Sequence, residues 1–370
     1  MSHRTNKSPY DDASTRHHRR IEPPPRRAAD GTLTLNRIDR RHQAGWLHGN
    51  RADERPRPDH HRGVMSAPRI AVGPGPAPWA QEAIRRGGGQ VVALDEDPVG
   101  LVWTDGRAMD ALRTALATRP EISWVQLPQA GVERAFQAGV VDGKRRWTSA
   151  KGAFSQPVAE HALALILAGL RQLKVRARAR TWGKPAGESL FGQPVTVVGA
   201  GGIAAVLMRL LEPFGTPVTV VRREAEPVPG AVRTLTTDRL AEALPGARAV
   251  VLVVALTPQT QGLIGAAELA AMEPDAWLVN VARGGVVDTE ALTAALQQDQ
   301  IGGAALDVTD PEPLPAGHPL WDLDNCLITP HTADTEEMTQ PLLADRITEN
   351  VRRLAAGHEL VGLLDPDLGY

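Results

Sequence analysis

Cysteine is almost missing: Cys326 is the only one in 370 residues. No intrachain disulfide can form, and a reducing, cytoplasmic setting is expected. Aromatic residues are scarce, 4% in all, so any core must be built largely from aliphatic side chains. Long apolar runs are missing as well. The longest, HALALILAGL at 161–170, spans ten residues and opens on a histidine. That is too short to cross a bilayer and reads as a buried helix. Nor is there an excess of charge. The 41 Lys and Arg face 43 Asp and Glu, a formal −2, which describes a soluble globular chain with no global reason to bind nucleic acid or membrane.

That balance hides an asymmetry. Residues 1–64 carry 14 Lys and Arg against 8 Asp and Glu, a net +6, leaving −8 for 65–370. Only Ile21, Leu33, Leu35, Ile38, Leu47 and Val64 are Leu, Ile, Val or Phe in that segment, too few for a core. It lacks the apolar core of a signal peptide and is too acidic for a transit peptide. A basic arm for acidic partners is one reading; a disordered tail that is not native is the reading preferred. Met65, opening MSAPRIAVGPG, is a second candidate start.

From residue 69 onward short apolar runs alternate with helical patterns. RIAV (69–72), QVVAL (90–94) and SWVQL (123–127) read as strands, with helices over 78–86 and 107–118. A longer helix is expected from about Pro157 through VAEHALALILAGLRQL, proline being suited to a first turn. A second series then runs PVTVVG, PVTVV, ARAVVLVV, AWLVNV, GGAAL and NCLIT, separated by helix-like segments at 237–243, 265–272 and 288–297. A last helix is expected over 335–356. Apolar strands alternating with helices mean parallel sheets covered on both faces.

Within that series, 197–224 reads VVGAGGIAAVLMRLLEPFGTPVTVVRRE. Gly199 permits a tight turn after the strand. Gly201 lets backbone approach a pyrophosphate, and Ala204 allows close helix–strand packing. The helix amino terminus supplies N–H groups and partial positive charge to phosphate. Pro213 should end or kink that helix just before Gly215. Missing is the acidic residue that would close the second strand and hold the ribose hydroxyls of NAD. Arg222 and Arg223 stand there instead. A carboxylate would repel a 2′-phosphate, whereas a guanidinium binds one, so NADP is expected in preference to NAD.

Three downstream segments carry polar residues just past apolar strands: LVNVARGGVVDTEAL (278–292) with Arg283, GAALDVTDPEPL (303–314) with Asp307 and Glu312, and NCLITPHTAD (325–334) with His331. Ligands of doubly wound sheets bind beyond the carboxyl ends of the strands, so these residues could converge. Here the chain resembles the D-isomer-specific 2-hydroxyacid dehydrogenases over essentially all of 66–370. Besides GAGGIA, the resemblance rests on SQPVAEHALALILAGLRQL, LTPQTQGLIGAAELAAMEPDAWLVNVARGG, ALDVTDPEPLPAGHPLWDLDN and ITPHTAD. It implies two doubly wound α/β domains: a Rossmann dinucleotide-binding domain, 157–334, inserted in a flavodoxin-like substrate-binding domain, 66–156 plus 335–370. A homodimer is implied too.

The family's catalytic arginine, glutamate and histidine fall on Arg283, Glu312 and His331. By resemblance, Arg283 would bind the substrate carboxylate and polarise the neighbouring carbonyl. His331 would be the general acid in reduction, and Glu312 would hydrogen-bond and orient its imidazole. Gly202 and Ile203 would contact pyrophosphate. Thr257, Val281 and Ala282 would line the cofactor cleft with Arg283, and Asp307 would hold the nicotinamide carboxamide. LPQAGVE (127–133) matches the substrate loop, with backbone N–H groups near Ala130 and Gly131 binding the carboxylate. A side-chain pocket is expected near Trp103, Thr104 and the 127–133 loop. His161 reads as a packed residue, His318 and His358 as solvated, and Cys326 as a small buried residue. No metal site is expected.

Formate dehydrogenases of this family resemble the chain but carry glutamine where Glu312 stands, and their substrate has no hydroxyl to deprotonate. An ionisable partner for His331 therefore favours chemistry at a hydroxyl-bearing carbon. A glyoxylate/hydroxypyruvate-type reductase acting on a small 2-keto acid is the first choice. A phosphoglycerate dehydrogenase-like activity without the regulatory domain is an alternative, as is a dinucleotide-sensing binding protein of corepressor type.

Overall fold

The computed structural model describes residues 66–365. The basic segment 1–64 and the alternative start at Met65 lie outside them. The chain first builds β1 (Arg69–Gly73), α1 (Pro78–Arg86), β2 (Gln90–Val91), β3 (Gly100–Trp103) and α2 (Met109–Ala117). β4 (Trp124–Gln126), α3 (Glu133–Gln137) and β5 (Arg146–Thr148) come next. All five strands are parallel, in the order β2-β1-β3-β4-β5. That is the flavodoxin-like order. Every residue of β3 and β4 is buried, as helices on both sheet faces require.

Two helices, α4 (Ser155–Leu170) and α5 (Leu173–Arg178), lead to a second sheet. Its units are β6 (Val195–Val198), α6 (Gly202–Leu211), β7 (Val218–Arg222), β8 (Arg233–Thr236), β9 (Ala249–Leu252) and α7 (Ala266–Ala271). β10 (Trp277–Asn280), α8 (Thr289–Gln297), β11 (Gly303–Leu306) and β12 (Cys326–Ile328) complete it, and α9 (Glu336–Ala356) closes the series. Seven parallel strands run β12-β11-β10-β9-β6-β7-β8. The winding reverses between β6 and β9, the switch point where such sheets open a crevice for ligands. Valine dominates β6 and β7, a β-branched composition that suits a pleated surface buried on both faces. Both doubly wound sheets expected from the sequence are present.

Two helices tie the sheets into one unit. α4 is apolar nearly all round, and its Gly169 lets it lie directly on the Trp277 ring, where a Cβ would clash. α9 returns to the first sheet. Thr348 Oγ1 donates to Ala83 O at 3.0 Å, and Asn350 Nδ2 donates to buried Gln126 Oε1 at 3.0 Å. At Pro213 the stop falls as expected: α6 ends at Leu211, one 3-10 turn spans Glu212–Phe214, and Gly215 turns out at φ +61°. β3, β5, β8 and α3 are absent from the sequence reading. The helix expected over 237–243 is a 3-10 segment, Thr237–Glu242, interrupted at Arg239. Among the described residues no helix is long and apolar enough to cross a membrane.

Candidate active site

The turn from β6 into α6 is a cradle made by missing side chains. Gly199 sits at φ +121°, and a Cβ there would meet Val253 O at 2.7 Å. Gly201 precedes the helix with no atom within 4 Å of where its Cβ would be, so its face is open. A Cβ on Gly202 would overlap Ser155 Oγ, at the start of α4. Ala204 is buried beneath them. α6 opens without a side-chain cap, leaving its first N–H groups for an anion. These residues fit a dinucleotide pyrophosphate.

The arginines close β7. Arg222 keeps 27% of its side chain exposed, within 3.9 Å of Glu224 and 4.0 Å of Glu226. Arg223 is 61% exposed and 3.7 Å from Glu224. Lys151 lies within electrostatic reach of Arg223. Burial pushes the lysine's pKa down, Arg223 pushes it further, and Asp365 opposes both. Three cations thus gather near the end of β7, two of them beside glutamates that an incoming anion could replace.

A cavity of about 920 Å³ opens past the carboxyl ends of the strands. Arg283, Asp307, Glu312 and His331 line it together with Ile203, Val281, Ala130 and Gly131. Thr104 lines it as well; Trp103 does not. That expectation is corrected: the indole is 2% exposed and packs against Gly73, because its strand position points it into the core. Thr257 lies in the turn after β9, its N–H donating to Thr260 Oγ1 at 2.8 Å. Ala282 is buried and supplies main-chain contacts.

Arg283 is placed by Asn280, the buried last residue of β10. Asn280 Nδ2 donates to Arg283 O at 2.9 Å, and its Oδ1 accepts from Ala282 N at 3.0 Å. The guanidinium donates from Nη1 to Ala282 O at 2.7 Å, and its Nε lies 3.2 Å from Glu133 Oε1. Gly131 is packed against it so closely that a Cβ would overlap Nη2. The 130–133 turn therefore grips the arginine from the first sheet.

His331 Nδ1 and Glu312 Oε1 are 2.7 Å apart, which leaves the Nε2 edge of the ring for another partner. His331 adopts φ +50°, a left-handed conformation uncommon for a residue with a Cβ. Asp307 is 2% exposed. Burial would raise its pKa, but hydrogen bonds from His161, Thr329 and the N–H groups of Thr332 and Ala333 outweigh that and hold it at about 2. Asp334, on the cavity wall, is pushed up by burial, against the pull of His331 and Arg283. Cys326 is buried, and burial pushes its thiol up to about 12, which disfavours the thiolate.

Three cavity-region residues escape the sequence reading. Glu133 and Asp334 look like ordinary helix-start and loop acids. His161, expected as a packed residue, is also hydrogen-bonded: its Nε2 lies 3.0 Å from Thr329 Oγ1 and 3.3 Å from Asp307 Oδ1. A histidine in an otherwise apolar helix is the available signal. His318 is likewise not simply solvated, since Nδ1 accepts from Leu320 N at 3.3 Å.

Comparison with known proteins agrees with this geometry. Residues 162–333 match the model of the D-isomer specific 2-hydroxyacid dehydrogenase NAD binding domain. The chain is 36% identical over 295 residues to an uncharacterized protein in the proB 3′ region of Corynebacterium melassecola, covering 78% of this chain and 95% of that one. It is 31% identical to glyoxylate/hydroxypyruvate reductase A of Photorhabdus laumondii, over 57% of this chain and 68% of the relative. A D-isomer specific 2-hydroxyacid dehydrogenase from Xanthobacter autotrophicus Py2, solved with NADPH and MES, superposes with a TM-score of 0.70 at 29% identity, covering 82% of this chain and all of that one. With the glycine cradle at β6 and the polar residues gathered past the strand ends, the chain belongs to the D-isomer-specific 2-hydroxyacid dehydrogenases, NAD(P)-dependent oxidoreductases acting on a CH–OH group.

Proposed function

We propose that this protein is an NADPH-preferring reductase of small 2-keto acids, of the glyoxylate/hydroxypyruvate type. The observation that carries the reading is the 2.7 Å contact between His331 and Glu312 in the same cavity as Arg283. The bound dinucleotide supplies the hydride. Arg283 binds the substrate carboxylate, joined by backbone N–H groups near Ala130 and Gly131, and polarises the adjacent carbonyl. Glu312 holds the Nδ1 edge of His331, so the Nε2 edge delivers the proton to the carbonyl oxygen in reduction and takes it back in oxidation. Asp307 presents its buried carboxylate to the nicotinamide amide, and Thr257, Val281 and Ala282 form the cleft wall.

Gly199, Gly201, Gly202 and Ile203 take the pyrophosphate. Arg222 and Arg223 take the 2′-phosphate, exchanging Glu224 and Glu226 for it. In this reading 157–334 is the cofactor domain, and 66–156 with 335–370 carries the substrate. The protein works in the cytoplasm as a homodimer. Support for a dimer comes from α5, which buries no residue, and from Leu173, Trp182 and Phe191, which are exposed on the stretch between α4 and β6.

Absorbance of NADPH and NADH, followed with the full chain and glyoxylate, hydroxypyruvate, pyruvate, phenylpyruvate, 2-ketoisocaproate and 3-phosphohydroxypyruvate, tests both halves. Turnover of the first two with NADPH is expected. Silence with every keto acid would refute the reductase, and a strong NADH preference would refute the role given to the arginines.

A further inference from the structure

We infer that His161 is a positioning residue for the reduction: from α4 it braces the turn that holds His331, acting through Thr329 and Asp307. The inference rests on the reductase reading and adds to it a residue outside the cavity wall.

The turn 329–334 is wrapped around one carboxylate. Asp307 Oδ1 accepts from Thr329 Oγ1 at 2.6 Å and from Thr332 N at 3.0 Å; Oδ2 accepts from Ala333 N at 3.0 Å. The main-chain oxygen of Asp307 accepts from His331 N at 2.8 Å. His331, at φ +50°, thus sits in a strained conformation between bonds that fix both its flanks. Such a conformation persists only where the surroundings over-determine it.

His161 completes that surrounding. Thr329 has one hydroxyl proton, and the 2.6 Å contact commits it to Asp307. The 3.0 Å contact between His161 Nε2 and Thr329 Oγ1 then needs its proton from the imidazole. The order is His161 Nε2–H to Thr329 Oγ1, and Thr329 Oγ1–H to Asp307, with Nε2 also 3.3 Å from Asp307 Oδ1. The histidine stands on a sixteen-residue helix packed on the second sheet, so the brace has a rigid base. Without it, a buried carboxylate loses a donor and Thr329 loses the partner that orients its hydroxyl. The loss falls on where His331 is held, and leaves Arg283 and the glycine cradle in place.

The test compares His161→Leu, His161→Gln, Thr329→Val and the His161→Leu/Thr329→Val double variant with wild type, using the full chain, NADPH and hydroxypyruvate. His161→Leu should lower kcat at least about tenfold with KM within about threefold, and NADPH binding by fluorescence should be kept. His161→Gln, whose amide N–H can replace the imidazole donor, should recover most of kcat. The double variant should lose little more than the larger single loss, since both changes cut one chain of bonds. Normal kcat in His161→Leu, equal losses in Leu and Gln variants, or additive losses would each overturn the inference. A readout without turnover separates it from the reductase reading. Carbethoxylation of His331 by diethyl pyrocarbonate, followed by mass spectrometry, should quicken in His161→Leu and not in His161→Gln. If wild type is inert yet this pattern holds, the reductase reading fails and the brace stands. If the rate is unchanged in every variant, the brace fails. Should His161→Leu not fold, Thr329→Val carries the same measurements.

Discussion

The two ends of the cofactor cleft are built on opposite principles. At the end proposed to be catalytic, Asp307 is buried with both oxygens bonded, His331 is clamped in a left-handed turn, and Asn280 fixes the backbone around Arg283. At the other end, Arg222 and Arg223 lean on Glu224 and Glu226 at 3.7 to 4.0 Å, and Arg223 is mostly in water. In the proposed reaction proton transfer tolerates little misplacement, and the groups proposed for it are held in place by these bonds. In the proposed function a 2′-phosphate needs only cations that can reorient, and ion pairs at 3.7 to 4.0 Å to exposed glutamates are worth about 0–1 kcal/mol each. The clamped end should therefore break steeply under substitution, and the solvated end gently.

The steepest breaks are expected at the clamped end. His331→Ala or Arg283→Ala should lower kcat/KM by about 10³-fold or more, while NADPH binding measured by fluorescence is retained. A variant keeping most of its kcat/KM would remove that residue from the mechanism. Gly131→Ala comes next. Its methyl would overlap Arg283 Nη2, so kcat/KM should fall about 100-fold with little change in melting temperature. Wild-type kinetics in that variant would mean the arginine works from another position.

Asp307 offers a test through pH. Its carboxyl is held at about 2, below the ordinary 3.8, so it adds stability that is complete above about pH 4 and lost as pH falls toward 2. Asp307→Asn should cost about 2 kcal/mol near neutral pH, with the gap from wild type closing between pH 4 and 2. Urea unfolding at a series of pH values measures it; a gap independent of pH would assign the cost to packing instead. The mildest effect belongs to the solvated end. Replacing Arg222 and Arg223 with Ala should cut kcat/KM for NADPH about tenfold and leave NADH nearly untouched, so the ratio of the two is the quantity to track. Equal losses with both cofactors would rule out a 2′-phosphate as their partner.

The same contrast marks what is legible without the structure. Arg283, Glu312, His331 and Asp307 stand out because each is a charged or titratable residue closely after a buried apolar strand, and the sheets bring them to one cavity. The glycine turn is legible because missing side chains leave a fixed spacing. Glu133 is not legible: nothing near Val132 shows that its carboxylate faces an arginine 150 positions onward. Trp103 is misplaced by a reading of the sequence, since a strand residue can face core or cleft and only register decides. His161 reads as packing for a related reason. Periodicity reports which face is buried, not whether a polar atom on it finds a partner.

Local periodicity and residue types in chain order are enough for the alternating α/β architecture, the family and the sequence of polar segments. Which charges meet is a different matter, and it is settled by tertiary packing. The grip of the 130–133 turn on Arg283, the His161–Thr329–Asp307 chain and the left-handed turn at His331 join residues far apart in sequence or over-determined by several neighbours. Such contacts depend on how the sheets pack at their carboxyl ends, and local pattern carries no term for that.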